Sequence, residues 1–164
     1  MSRRKSRIVA FQGLYSWDVG GMTEADVLKL DWTGSNIDVI EPNEEIENEN
    51  SEDSEEFFEK TQKYEGLKID EEEGAFSRML IAGTIENIEK IDETIKAHLK
   101  NWDFSRVNKV TIAILRMSVY CLMFTKDVDP SIVIDEAIDI AKNYGPDDSY
   151  KFVNAILDNI KKTV

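Results

Sequence analysis

Apolar residues recur at helical spacing along most of the chain. Near the amino terminus, Ile8, Phe11 and Tyr15 are separated by three or four residues, which predicts a helix over residues 4–19. The glycine pair at positions 20–21 is expected to end this helix. No segment shows a convincing strand signal, so the pattern predicts an all-α protein.

Residues with capping side chains mark the starts of the next helices. Thr23 is typical of a helix start, and it predicts a second helix that reaches about Trp32. Asp70 is the expected cap of a third helix. Isoleucine and leucine at helical spacing over residues 88–99 indicate a fourth helix, and Trp102 is predicted to close it.

The most apolar stretch lies over residues 107–125. It carries two apolar stripes, and a helix that is apolar on two faces is expected at the centre of the core. The pair 129–130, an aspartate before a proline, predicts the start of the next helix, which the pair 145–146 stops. Asp147 or Asp148 then caps a last helix, which gives a bundle of six or seven helices.

Charge is distributed very unevenly along the sequence. Residues 41–59 hold ten acidic residues and no basic one, within a polar stretch at 33–63 that predicts a disordered insertion. Without those ten carboxylates the net charge of −13 falls to −3. Residues 1–7 hold four basic residues and no acidic one. The overall acidity therefore says little about the binding surface.

Several classes of site are excluded by residue counts. A single cysteine, Cys121, excludes an internal disulfide framework and a cysteine-based zinc site, and it falls on the apolar stripe of the core helix. A single histidine, His98, argues against a histidine-rich metal site or catalytic triad. We therefore expect no metal, no cofactor and no enzymatic activity. No membrane span or secretory signal is recognisable, and we expect a cytoplasmic protein.

Three blocks of the sequence resemble the NusB transcription-antitermination family. They are the arginine-rich start with Gln12–Trp17, the central segment Ile112–Tyr120, and the carboxy-terminal segments Pro130–Lys142 and Asp148–Asp158. The blocks occur in the family's order and cover about two-thirds of the chain. Two features depart from the family pattern. The acidic segment is longer, and Thr111 stands where an acidic residue is expected.

The resemblance implies a fold and a function. The fold would be two small helical bundles packed across one another. The function would be that of a non-catalytic adaptor, which binds boxA-type single-stranded RNA together with the ribosomal protein NusE. This adaptor would act inside the elongating transcription complex, with only indirect contact to RNA polymerase, and on ribosomal RNA operons.

Arg3, Arg4 and Arg7 are the candidate phosphate contacts. Cations at a helix start are unfavourable, because the helix amino terminus already carries partial positive charge. A phosphate bound there would turn this cost into an attraction, because backbone donors and guanidinium groups would point at one anion. The alternative is a solvated, frayed helix terminus.

Four further residues are candidates for RNA contacts, three of them to bases. The resemblance places Tyr15 on the same surface as Asp148, Lys151 and Phe152 at the start of the last helix. Tyr15 and Phe152 offer faces on which bases stack, Asp148 accepts a hydrogen bond from a base amino group, and Lys151 meets phosphate. Each has a simpler alternative: Asp148 as a helix cap, and Tyr15 and Phe152 as packing residues.

Asp135, Glu136 and Asp139 form an acidic edge on the helix after Pro130. A carboxylate pair can perform acid–base chemistry, but we expect no apolar pocket or basic partner nearby, so we interpret this edge as solvated or facing a protein partner. Two rival functions remain. One is a helical protein–protein interaction module without specific RNA binding, and the other is an enzyme of RNA metabolism, which the missing catalytic groups disfavour.

Deleting residues 41–59 tests what the acidic run does. A tethered polyanion that covers the basic first helix would compete with RNA, most strongly at low salt, because exposed charges are screened beyond about 8 Å at physiological ionic strength. The simpler hypothesis is a solvated loop, whose deletion changes RNA affinity only by removing the long-range repulsion between its carboxylates and the RNA. Titrations at two ionic strengths measure the effect of the deletion, and the free acidic peptide then separates docking from repulsion. Inhibition by the free acidic peptide, added to a variant with serine and glycine in place of the acids, would contradict the solvated loop.

Overall fold

The computed structural model of the protein describes residues 3–34 and 69–164. Within these ranges it contains seven α-helices and no strand, which confirms the predicted all-α class. The helices are α1 (Arg3–Asp18), α2 (Glu24–Lys29), α3 (Glu71–Glu86), α4 (Ile88–Ala97), α5 (Lys109–Phe124), α6 (Pro130–Tyr144) and α7 (Ser149–Lys161). Short 3₁₀ helices lie at Asp31–Gly34 and Phe104–Arg106. Apart from residues 33–34, the expected insertion at 33–63 lies outside the described residues, as does the acidic run at 41–59.

Local capping chemistry sets most of the helix starts. The side chain of Asp70 accepts a hydrogen bond from the Glu73 amide at 2.8 Å, and the Glu73 side chain accepts one from the Asp70 amide at 3.1 Å. Asp129 accepts from the Ser131 amide at 2.8 Å, ahead of the proline that begins α6. These starts agree with the predictions, because a cap depends on residues only three positions apart.

Helix α2 is shorter than the sequence predicted. Thr23 caps it as expected, but Leu30 adopts a left-handed backbone conformation (φ 56°) that ends the helix at Lys29. Trp32 therefore belongs to the following 3₁₀ helix, and its indole N–H donates to the Val27 carbonyl at 3.0 Å.

Helix α5 is the centre of the molecule, as its two apolar stripes predicted. Twelve of its 16 residues are buried. Helices α1 to α3 pack together as one small bundle, and α4, α6 and α7 pack around α5 as a second. Helices α1 and α3 also lie directly against α5, so this helix joins the two bundles.

Arg116 of α5 joins the two bundles by ion pairs. Its guanidinium donates two hydrogen bonds to the Asp92 carboxylate of α4, at 2.8 and 2.9 Å. A third nitrogen lies 3.2 Å from the carboxylate of Asp18, the last residue of α1. A forked guanidinium fits this role because it bonds two carboxylates at once.

Helix α3 turns the small polar residue Ser77, rather than Phe76 or Met79, towards the start of α1. The Ser77 hydroxyl donates to the Ser6 carbonyl at 2.9 Å, and the Ser6 hydroxyl donates to the Glu73 carbonyl at 3.1 Å. As a result Met79 is exposed and Phe76 is only half-buried. This arrangement leaves apolar side chains at the surface beside the start of α1.

We predict that replacing Ile114 by alanine strongly destabilises the protein. Ile114 is fully buried in α5, so the free energy of unfolding should fall by about 2–5 kcal/mol in urea denaturation. The control is Ile132→Ala on α6, where the side chain is 50% exposed and the change should stay within about 0.5 kcal/mol. Equal, small effects at both positions would mean that α5 is not the core helix.

Candidate nucleic-acid interface

The start of α1 forms one wall of an open cleft. The guanidinium of Arg3 lies 4.0 Å from the ring centroid of Phe76, and that of Arg7 lies 5.6 Å from it. Both distances are within the range of cation–π contacts. We call this depression of about 360 Å³ the arginine cleft; it is lined by Arg3, Arg7, Glu72, Ala75, Phe76, Met79, Cys121, Thr125, Asp127 and Val128.

Arg7 is a buried cation without a counter-ion in the described part of the chain. Only 6% of the residue is exposed, and its Nε has no hydrogen-bond partner there. A buried charge is expensive unless an opposite charge and hydrogen bonds compensate it. Because Arg7 lines the arginine cleft, an anion that enters the cleft would supply both. This burial also excludes the alternative of a frayed, solvated terminus for Arg7.

The ion pairs of Arg4 correct the expectation that the acidic edge of α6 has no basic partner. Its guanidinium pairs with Glu136 at 3.4 Å and with Asp139 of α6. The acidic edge is therefore not free of basic partners: packing brings Arg4 to it from 132 positions away in the chain. Such exposed pairs contribute only about 0–1 kcal/mol, so a phosphate is able to compete for Arg4.

Asp148 occupies the cap position of α7 but does not act as a side-chain cap. Its backbone is left-handed (φ 61°), and its carboxylate makes no capping hydrogen bond. The carboxylate instead lies 3.3 Å from the Lys151 ammonium, with both side chains largely exposed. The simpler alternative for Asp148 thus fails, and its acceptor oxygens remain accessible.

Phe152 lies at the edge of the core beside an exposed tryptophan. Its ring meets that of Trp102 almost at a right angle (71°), with centroids 5.8 Å apart. The sequence predicted that Trp102 closes α4. This prediction is wrong, because α4 ends at Ala97 and Trp102 is 61% exposed. Around these rings lies a second depression of about 320 Å³, the aromatic cleft; it is lined by Trp102, Arg106, Val107, Asn108, Thr111, Pro146, Asp147, Asp148, Ser149 and Phe152.

Two contacts define how the clefts are related. Helix α1 meets α6 first at Arg4 and Asp139, and again at Phe11 and Tyr144, whose ring centroids are 5.2 Å apart. The clefts also lie at opposite ends of α5, because Thr125 lines the arginine cleft and Thr111 lines the aromatic cleft. The arginine cleft lies beside the start of α1, and the aromatic cleft lies beyond the end of α6.

Tyr15 lies on α1, further along the helix than the three arginines. It is half-buried against the core and lines neither cleft. Eleven residues of helix separate it from Arg4, which corresponds to about 16 Å. The candidates thus form two groups, the three arginines at the start of α1 and Asp148, Lys151 and Phe152 at the start of α7, with Tyr15 in neither group.

Trp102 and Arg106 line the aromatic cleft, but the sequence pattern did not predict them as site residues. Both lie in the connection between α4 and α5, where no periodicity shows which side chains are exposed. The available signal was an aromatic residue flanked by Asn101 and Asp103, a polar setting that is unusual for a core tryptophan.

The described residues contain no group of side chains arranged to hold a metal ion. No helix among them is long and apolar enough to cross a membrane. Cys121 is buried beside the arginine cleft, and burial raises the pKa of its thiol, with the positive charge of Arg7 acting in the opposite direction. The thiol therefore stays protonated and unreactive near neutral pH.

The fold and the clefts together define a small helical-bundle protein with an arginine-lined cleft and an aromatic cleft. The model of the NusB family matches residues 36–162. A transcription antitermination protein NusB from Treponema denticola is 44% identical over 161 residues, which cover 98% of this chain and 96% of the relative. The chain belongs to the NusB family.

Solved structures agree with this assignment. NusB from T. maritima superposes with a TM-score of 0.69 at 29% identity, covering 99% of this chain and 92% of that one. A chain in the structure of antitermination factors NusB and NusE in complex with dsRNA gives a TM-score of 0.69 at 25% identity, covering 99% and 97%. The predicted family and its two-bundle fold are confirmed.

Proposed function

We propose that this protein is a non-catalytic transcription antitermination factor that binds boxA-type single-stranded RNA together with ribosomal protein NusE. Full-length similarity to proteins named for antitermination supports the functional class. The structural observation that carries RNA binding is the buried guanidinium of Arg7, which lacks a described counter-ion and lines an open cleft. A polyanion supplies the missing charge.

Phosphate binding is assigned to the arginines and Lys151. Arg3 and Arg7 present their guanidinium groups at the arginine cleft, beside the Phe76 ring. Arg4 reaches a phosphate by exchanging its exposed pairs with Glu136 and Asp139. Because phosphate contacts carry no sequence information, these residues set affinity and the path of the strand.

Base recognition is assigned to Asp148, Phe152 and Tyr15. Asp148 offers an accessible carboxylate, and a carboxylate accepts a hydrogen bond from a base amino group. Phe152 and Tyr15 offer aromatic faces on which bases stack. Stacking needs bases that are not already paired, so this arrangement favours single-stranded over double-helical RNA.

The proposed cellular role combines this RNA binding with the binding of NusE. The protein would deliver boxA RNA and NusE to the elongating transcription complex, touching RNA polymerase only indirectly and acting on ribosomal RNA operons. Such work takes place in the cytoplasm and requires no catalytic residue, metal or cofactor.

A helical protein–protein interaction module is the alternative function. The observation that favours it is the exposed apolar surface beside the arginine cleft, where Ile132 is 50% and Met79 is 41% exposed. Fluorescence anisotropy with boxA-like and scrambled RNA, with and without NusE, separates the two functions. Tight binding of boxA-like RNA that NusE strengthens supports our proposal. NusE binding without any RNA preference supports the alternative.

We predict that replacing Arg3, Arg4 and Arg7 together by glutamine flattens the salt dependence of RNA binding. For a single strand, the slope of log affinity against log salt should become shallower by roughly 0.7 for every phosphate that an arginine no longer neutralises. The control variant replaces Lys96, Lys161 and Lys162, three exposed cations away from both clefts, so the change in net charge is the same. If both triple variants shift the slope equally, the arginines act only through net charge.

Substitutions in the aromatic cleft should change the preference of the protein for one RNA sequence over another, rather than the salt dependence of binding. We predict that Phe152→Ala and Asp148→Asn weaken binding of boxA-like RNA more than binding of a scrambled RNA. The physical reason is that stacking and base-edge hydrogen bonds distinguish sequences, whereas phosphate contacts do not. Affinity ratios for the two RNAs measure the effect. An equal weakening for both RNAs would assign these residues to non-specific binding.

A further inference from the structure

Trp102 is the most exposed large apolar residue in the described part of the chain, at 61%. Its indole N–H has no acceptor among those residues. A tryptophan left in water forgoes the burial of a large apolar surface. Exposed apolar side chains that cluster in a depression frequently mark a binding site. Trp102 therefore needs an explanation that the core does not give.

The surroundings of Trp102 have the geometry of a pocket for a flat ring. Trp102 and Phe152 meet at 71°, so their rings form a corner rather than a closed stack. The aromatic cleft around this corner has a volume of about 320 Å³. A flat ring that stacks on the open face of Trp102 stays within reach of Phe152.

The charged residues of the aromatic cleft suit a nucleotide. Arg106 is exposed and has no ion-pair partner among the described residues, so its guanidinium is available for a phosphate. Asp147 and Asp148 line the same cleft and supply hydrogen-bond acceptors for an amino group. An aromatic face, a cation and carboxylate acceptors match the ring, phosphate and amino group of one nucleotide.

We propose that Trp102 stacks on one base of the bound RNA, with Arg106 on a neighbouring phosphate. The inference rests on the proposed RNA-binding function and extends it, because it adds two residues and a defined nucleotide pocket to the arginine cleft, Tyr15 and Phe152. Stacking on an aromatic side chain typically accounts for about a 5- to 150-fold change in affinity. Trp102 is thus a principal base contact of the aromatic cleft.

A double-mutant cycle between protein and RNA tests the pairing. Wild type and Trp102→Ala are titrated with boxA-like RNA and with a series in which one nucleotide at a time is abasic. We expect Trp102→Ala to weaken intact RNA by about 5- to 150-fold. At one position, the abasic substitution should weaken wild type but leave the Trp102→Ala variant unchanged, because that variant has no indole for the base to stack on.

Control variants separate stacking from other effects. Phe124→Ala removes another exposed aromatic residue, which lines neither cleft, and should leave RNA binding unchanged. Trp102→Phe keeps an aromatic face and should retain most of the affinity. Of the three tryptophans in the chain, only Trp102 should stack on a base. The Trp102→Phe variant should therefore lose most of the fluorescence quenching that RNA produces in wild type.

The outcomes distinguish this inference from the proposed function. If wild type does not bind RNA, the proposed function fails, and the inference fails with it. If wild type binds RNA but Trp102→Ala binds equally well, or shows the same abasic profile, only the stacking pocket is wrong. If Trp102→Ala instead weakens NusE binding in the absence of RNA, the aromatic cleft is a protein contact and the inference is overturned.

Discussion

The burial of α5 on nearly every side is the constraint on which the rest of the structure depends. A helix without a polar face must be covered by neighbours, and here helices from both small bundles cover it. The ion pairs of Arg116 with Asp92 and Asp18 add a fixed relation between the two bundles. The starts of α1 and α7 are thereby held at the periphery, where the two clefts form at opposite ends of α5.

Electrostatics on this surface is local rather than global. The chain carries a net charge of −13, yet the start of α1 concentrates guanidinium groups around one cleft. Arg4 is held by carboxylates of α6, whereas Arg7 is buried with no described counter-ion. Under the proposed function, Arg7 would gain a counter-ion from a bound phosphate, whereas Arg4 would first exchange its carboxylate partners for one. Only the Arg7 arrangement favours an anion without breaking an existing ion pair.

How much the sequence predicts depends on the distance over which an interaction acts. Helix starts at Thr23, Asp70 and Asp129 were predicted because their caps involve residues at most three positions away. The pairing of Arg4 with α6, the burial of Arg7 and the exposure of Trp102 were not predictable. Each results from packing between segments far apart in the chain, about which helical periodicity carries no information.

The central claim is that one strand of RNA occupies both clefts, with phosphates at one end and bases at the other. Nuclear magnetic resonance titration of the ¹⁵N-labelled protein tests it most directly, through the Arg7 Nε–H and the Phe152 amide. The account predicts that boxA-like single-stranded RNA shifts both signals with the same saturation, whereas scrambled RNA shifts mainly the Arg7 signal. RNA that binds without shifting the Arg7 signal would contradict the account.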